Sequence, residues 1–284
     1  VLHESLHHID TIKTDEHLLG DYYVEGRTMG NRSKNPNKYL DDAHILEKAF
    51  EEENTDLLLK YRYSYYCAQS YHNISNWEKS IEWYEKLLTF NYSEQYKYCA
   101  CVKAGDCYIK LKKYDKALDL WSKSYNYDKE RLEGIVNIMG YFYNKGSHFM
   151  VSSLYNKFKH INIGHAKDKI FLDYSKYHEF HYFASISGCY CDEHKSAYEA
   201  CKYLLLNNKY DIQNTIYNLQ FYIKYFNDDN DNQTLLDYFV KYLTNIQIEY
   251  NHRKNAWKIV NKIIKDKMPD TYNIIINDII NDIF

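Results

Sequence analysis

Two stretches decide the fold: YRYSYYCAQSYHNISNWEKSIEWY at 61–84 and YCACVKAGDCYIKLKKYDKALDLW at 98–121. In each, a small residue (Ala68 or Gly105) is followed one helical turn later by a tyrosine, Tyr71 or Tyr108. A second small residue, Ser80 or Ala117, comes twelve positions after the first, and an aromatic, Tyr84 or Trp121, four after that. Small side chains let two helices cross closely, and large rings at the next turn fill the space beside the crossing. The same four offsets in the same phase, twice, describe a repeated helical hairpin.

This spacing is that of the tetratricopeptide (TPR) repeat, a helix pair of about 34 residues that stacks on its neighbours. A third, looser unit has Gly140 and Tyr143 in its first helix, Gly146 in the turn and Ser152 or Ser153 in its second helix. A fourth, near Phe183 to Leu206, keeps Ala197 and Cys201 at the second-helix spacing, while its first helix departs from the pattern. The expected fold is therefore all-α: a TPR-like solenoid over 39–226, behind a short irregular or β segment at 1–38. Asn227 to Gln233 reads as a polar linker. Amphipathic patterns at Leu235 to Tyr250, Ala256 to Ile264 and Asn273 to Phe284 place helices in 234–284, where they would cap the open end of the solenoid.

Composition agrees with helices. The chain has 33 Tyr against 9 Gly and 2 Pro, too few breakers for a fold full of tight turns. A net charge of -3, from 36 basic and 39 acidic residues, offers no basic stripe for nucleic acid. No apolar run reaches the roughly 18 residues that a membrane span needs. Seven cysteines, with the closest pairs (Cys99 and Cys101, Cys189 and Cys191) one residue apart, match neither zinc nor dithiol spacing. Reduced thiols and a cytoplasmic location are expected. The start at Val1 rather than Met is expected of a piece of a longer protein.

Candidate chemistry is sparse. His3, His7 and His8, with Glu4 and Asp10, form the densest group of metal-ligand side chains. His178 and His181 share a helical face but lack a third ligand, so they read as structural. Asp228 to Asp231 lacks the glycine and closing glutamate of a calcium loop. No Walker loop, Gly-x-Ser-x-Gly or His-Glu-x-x-His occurs, and nothing places a nucleophile beside a base. The segment Glu25 to Lys34 brings two glycines together with Arg27, Arg32, Ser33 and Lys34, a composition able to approach and pair with a diphosphate. A solvated basic turn accounts for the same residues.

Several small motifs in order resemble the catalytic-domain junction of family 2 glycosyltransferases that carry a C-terminal TPR region. They are Val1-Leu2-His3-Glu4, Gly20-Asp21-Tyr22-Tyr23-Val24, Gly30-Asn31-Arg32-Ser33, Pro36-Asn37-Lys38-Tyr39 and Asp42-Ala43-His44-Ile45-Leu46-Glu47. The resemblance continues through Tyr61-Arg62-Tyr63, Ala68-Gln69-Ser70-Tyr71 and Asn218-Leu219-Gln220-Phe221-Tyr222. It implies that 1–38 is the last part of a nucleotide-sugar-binding domain. It also implies that His3 helps hold a divalent metal, Mn or Mg, in the intact enzyme, and that Arg27, Arg32, Ser33 and Lys34 lie near the donor diphosphate. The family's Asp-x-Asp motif, nucleotide-binding strands and catalytic base would all precede Val1, so this stretch alone would need no cofactor and transfer no sugar. Its helices would bind an acceptor or a protein partner.

Two rival readings follow. A free-standing TPR adaptor would bind a peptide or protein, with tyrosines such as Tyr63, Tyr66 and Tyr98 as contact area unless they are repeat core. Alternatively, the N-terminal histidines would form a metal site of their own.

Overall fold

The computed structural model describes residues 34–162, 164, 169–207, 211–226, 230–245 and 247–267. The chain is all-α: among the described residues there are twelve α-helices and no strand. It divides into two compact units, 1–120 and 121–284, with the boundary inside one helix.

The first unit holds α1 (Lys38–Glu52), α2 (Leu57–Asn73), α3 (Trp77–Leu88), α4 (Glu94–Lys110) and the start of α5 (Tyr114–Tyr127). Helices begin where a side chain can accept the unpaired amides of the first turn. Asp56 takes the amides of Leu58 and Leu59 at 2.8 and 3.1 Å, and Asn76 takes that of Lys79 at 3.2 Å. Ala68, Ser80, Tyr84 and Ala117 are fully buried, as their repeat offsets require. Ser80 also donates to the Ala68 carbonyl at 2.9 Å, tying the two small positions of its hairpin together. The abundant tyrosine is explained by this core. Tyr61 and Tyr65 bury their rings against Phe90, Tyr84 and Tyr96, while the Tyr61 hydroxyl donates to the Ser93 carbonyl at 2.9 Å. Tyr71 and Tyr108, at equivalent repeat positions, donate to Glu47 and Glu85 at 2.8 and 2.7 Å. Each ring thus supplies apolar area and still satisfies its polar end. Tyr98 is core and Tyr63 and Tyr66 are half-buried, which removes Tyr98 from any exposed contact surface.

The second unit continues with α6 (Glu133–Asn144), α7 (His148–Phe158), α8 (Tyr174–Ser187), a 3-10 turn at Gly188–Tyr190, α9 (His194–Leu206), α10 (Ile212–Leu219), a 3-10 stretch at Gln220–Tyr225, α11 (Asn230–Thr244) and α12 (Tyr250–Lys267). One core joins α6 to α9 through Val136, Met139, Val151, Tyr155, Tyr177 and Phe180. A second joins α9 to α12 through Cys201, Leu219, Tyr222, Phe239, Val260 and Ile264. The stretch read as a linker at 227–233 instead opens a helix at Asn230, and α11 and α12 share their core with α9. The amphipathic pattern read as running to Tyr250 is interrupted after Thr244, and Tyr250 begins α12.

Four hairpins close in the same way. The chain leaves α2, α4, α6 and α8 through a left-handed residue, Ser75, Lys112, Gly146 or Asp192, with φ of 60, 59, 70 and 57°. The following amide then donates back to the carbonyl five residues earlier: Asn76 to Tyr71, Lys113 to Tyr108, Ser147 to Phe142 and Glu193 to Gly188, at 2.9–3.1 Å. This six-to-one bond satisfies a terminal helix carbonyl and fixes the direction of the next helix. In the fourth hairpin the closest crossing lies at Gly188. A Cβ there would stand 2.5 Å from that of Ala197.

Candidate functional site

Of the residues expected to act on a donor diphosphate or a metal, His3, Arg27, Arg32 and Ser33 lie outside the described residues, as do His7 and His8. Lys34 is described and exposed, just before α1. No group of three His, Cys, Asp or Glu side chains among the described residues could hold a metal ion. None of the described helices is long and apolar enough to cross a membrane. None of the seven cysteines is in a disulfide; five are buried, and burial keeps the Cys107 thiol protonated, its pKa pushed up to about 11.

His181 is structural, as its spacing indicates. Its ring stacks on Tyr203 with centroids 3.8 Å apart, and its Nδ1 lies 3.0 Å from the Tyr155 hydroxyl. Burial, and secondly the neighbouring His178, drive its pKa down to about 3, so the ring is neutral at ordinary pH. A second buried polar group was not legible from spacing. Arg131, 2% exposed, pairs with Glu133 at 2.6 Å and donates to the carbonyls of Ile170 and Phe171 at 2.9 and 3.4 Å. Glu133 in turn accepts the Asp173 amide at 3.3 Å, and Lys169 bridges Asp128 and Glu130, both at 3.1 Å. These contacts fasten the chain that leads into α8. They use charge to hold a loop and leave no unpaired acid or base for chemistry.

An aromatic row runs along the surface of α6 to α8. Phe183 lies 5.1 Å from Tyr143, Tyr143 6.0 Å from His148, and His148 stacks on Tyr190 at 4.1 Å. The row ends in the open, with Tyr190 70% exposed, and Phe149 in the first turn of α7 is 72% exposed.

A cleft of about 500 Å³ lies between α10, α11 and α12. That volume lies within the roughly 300–1,000 Å³ of small-ligand sites. Its buried floor is Ile216, Tyr242 and Ala256, with half-buried Ile259. Around them stand Gln213, Asn214, Tyr217 and Gln220 from α10 and its extension, and Asn255 and Lys258 from α12. His252 also lines the cleft, 3.6 Å from Glu249. Tyr217 is 55% exposed, its ring held edge to face against Phe221 at 5.8 Å. Asn214 is braced by Asp211, which accepts its side-chain amide at 2.7 Å, and Gln220 donates to the Tyr217 carbonyl at 2.9 Å. The side chains of Gln213, Asn255 and Lys258 have no protein partner among the described residues. Among the described residues no carboxylate lines the cleft.

No protein-family model and no curated protein matches the chain. The cleft must therefore be read from its own chemistry. It offers a ring face, four carboxamides and a cation over an apolar floor, which is equipment for holding a ligand. Sequence reasoning quoted Asn218 to Tyr222 only for its resemblance and did not assemble the cleft. The available signal was the spacing of Gln213, Tyr217 and Gln220, four and three residues apart, which puts them on one face of α10 opposite the buried Thr215, Leu219 and Tyr222.

Proposed function

We propose that these helices are the ligand- or partner-binding part of a glycosyltransferase, holding an acceptor or a protein partner while sugar transfer is performed by a nucleotide-sugar domain. The observation that supports the binding role is the cleft of α10 to α12, where carboxamides, a tyrosine ring and a lysine stand around an apolar floor. The transferase assignment rests on the ordered motifs from Val1 to Glu47 and on those at 61–71 and 218–222. The divalent metal that this resemblance implies finds no ligand set among the described residues, so no step is derived through it.

The coding sequence upstream of Val1 tests the assignment. An Asp-x-Asp motif within alternating strands and helices is the expected result. A start codon there, or a further repeat array, removes the transferase and leaves the adaptor, a reading favoured by the exposed Phe149 and Tyr190 beside the aromatic row. Turnover of a nucleotide sugar by the 284-residue chain itself would also overturn the proposal.

A further inference from the structure

We infer that the α10–α12 cleft binds a short acidic oligosaccharide, with a sugar ring against Tyr217 and its carboxylate towards Lys258. The inference rests on reading these helices as a binding module and names the class of ligand that the module takes.

Three features of the lining select this chemistry. First, four carboxamides (Gln213, Asn214, Gln220 and Asn255) surround one opening, and each presents a donor and an acceptor side by side. Neighbouring hydroxyls on a sugar ring, each donor and acceptor at once, match such groups in pairs. Two of the four are pre-positioned by their own hydrogen bonds, so less freedom is lost when a ligand is held. Gln213 and Asn255 spend no side-chain hydrogen bond on the described residues and remain available to a ligand.

Second, Tyr217 supplies a rigid ring, more than half exposed and fixed by its edge-to-face contact with Phe221. A sugar ring carries a face of C–H groups beside its hydroxyls, so it can cover an aromatic face while its polar edge meets the amides. The apolar floor of Ile216 and Ala256 adds area without demanding a charged or strongly polar partner.

Third, the charge is one-sided. Among the described residues Lys258 lines the cleft without an acidic partner and no carboxylate lines it; the two carboxylates that touch its lining are engaged, Asp211 with Asn214 and Glu249 with His252, so an anionic ligand meets an uncommitted cation. One lysine is far too little for a nucleic-acid backbone, whose affinity depends on neutralising many phosphates.

Saturation-transfer NMR on the full chain with trigalacturonate, maltotriose and chitotriose tests the inference, using Tyr217→Ala, Lys258→Gln and Asn255→Ala. Tyr174→Ala, at an exposed α8 tyrosine outside the cleft, is the control. Trigalacturonate is expected to give the tightest binding. Tyr217→Ala should weaken it roughly tenfold, the scale of losing one stacked ring. Lys258→Gln should abolish the preference over maltotriose, Asn255→Ala should weaken all binding trimers, and the control should change nothing. Tyr217 and Lys258 are exposed, so these variants are expected to melt with the wild type. Equal affinity for acidic and neutral trimers, an affinity unchanged by Tyr217→Ala, or no binding by any trimer each overturns the inference. Such a failure leaves the transferase assignment standing or falling separately on the upstream coding sequence.

Discussion

Gly188→Ala tests whether the fourth hairpin crosses where the structure places it. A methyl group on Gly188 would lie 2.5 Å from the Cβ of Ala197 and 2.9 Å from the carbonyl oxygen of Glu193. Carbon atoms in contact prefer about 3.5–4.0 Å, so at least about 1 Å of room is missing. Neither obstacle can rotate aside. Ala197 has no side-chain freedom, and Glu193 is held at both ends of its peptide: its amide donates to the Gly188 carbonyl at 3.1 Å, and its carbonyl accepts the Ala197 amide at 3.0 Å. The strain must be relieved by shifting α9 against α8. Overpacking of this kind costs about 1–3 kcal/mol, which lowers the melting temperature of a unit this size by about 2–12 °C. Gly140→Ala is the internal contrast. Its methyl would meet only the Phe183 ring, at 3.4 and 3.5 Å, and replacing a mid-helix glycine gains up to about 1 kcal/mol. Calorimetry on both variants, with urea unfolding to confirm an unchanged m-value, should show shifts of opposite sign. A Gly188→Ala protein that melts at or above the wild type would refute the assigned crossing.

Removing the guanidinium in Arg131→Met leaves Glu133 buried without its cation, and stability measured by urea should fall by about 3–5 kcal/mol. Hydrogen exchange at Asp173, whose amide donates to Glu133, should accelerate with it, whereas Lys48→Met in the exposed pair with Glu52 should change stability by less than about 0.5 kcal/mol. For His181, whose folded pKa is depressed to about 3 from an ordinary 6.5, the unfolded chain binds the proton first as pH falls. Its contribution is therefore intact above about pH 6.5 and lost progressively towards pH 3, with a limiting slope of about 1.4 kcal/mol per pH unit. Unfolding free energies of wild type and His181→Gln between pH 7 and 4 should converge as pH falls; parallel curves would contradict the burial of a neutral ring.

The repeat offsets made the first hairpins legible because Ala68, Ser80, Tyr84, Tyr108 and Ala117 are selected by packing, which leaves a residue-type signature. The hairpin turns were less legible. Four of them use the same left-handed closure, yet only Gly146 announces it, since Ser75, Lys112 and Asp192 occupy that conformation without glycine's freedom. A non-glycine residue there is strained by roughly 1–2 kcal/mol, and the bond to the carbonyl five residues back helps hold it in place. The fourth first helix looked irregular because, although buried Ser185 fills the small position twelve residues before Ala197, Gly188 stands where the repeat has a tyrosine. The start of α11 was hidden because Asn- and Asp-rich sequence suits a linker and a helix N-terminus alike. The cleft was hidden for another reason: Tyr217 and Lys258 come from helices far apart in the chain, and each is an ordinary surface residue until α10 and α12 meet.

The aromatic residues connect repeat regularity to binding. In the first hairpins the tyrosine at the repeat position has a committed partner: Tyr71 has Glu47 and Tyr108 has Glu85. Such a ring is fully employed in the stack. The four most exposed aromatic side chains among the described residues, Phe149, Tyr190, Tyr174 and Tyr217, all come after α6, where the offsets loosen. In the fourth hairpin Gly188 and Cys201 stand at the offsets that Tyr71 and Tyr84 occupy in the first, so those two positions carry no ring, while Tyr190 lies at the hairpin's surface against His148. Local departure from a consistent pattern is expected where a surface serves something other than stability. On the proposed reading the regular hairpins are the scaffold, and the binding surfaces belong to α7 through α12, where the pattern fails.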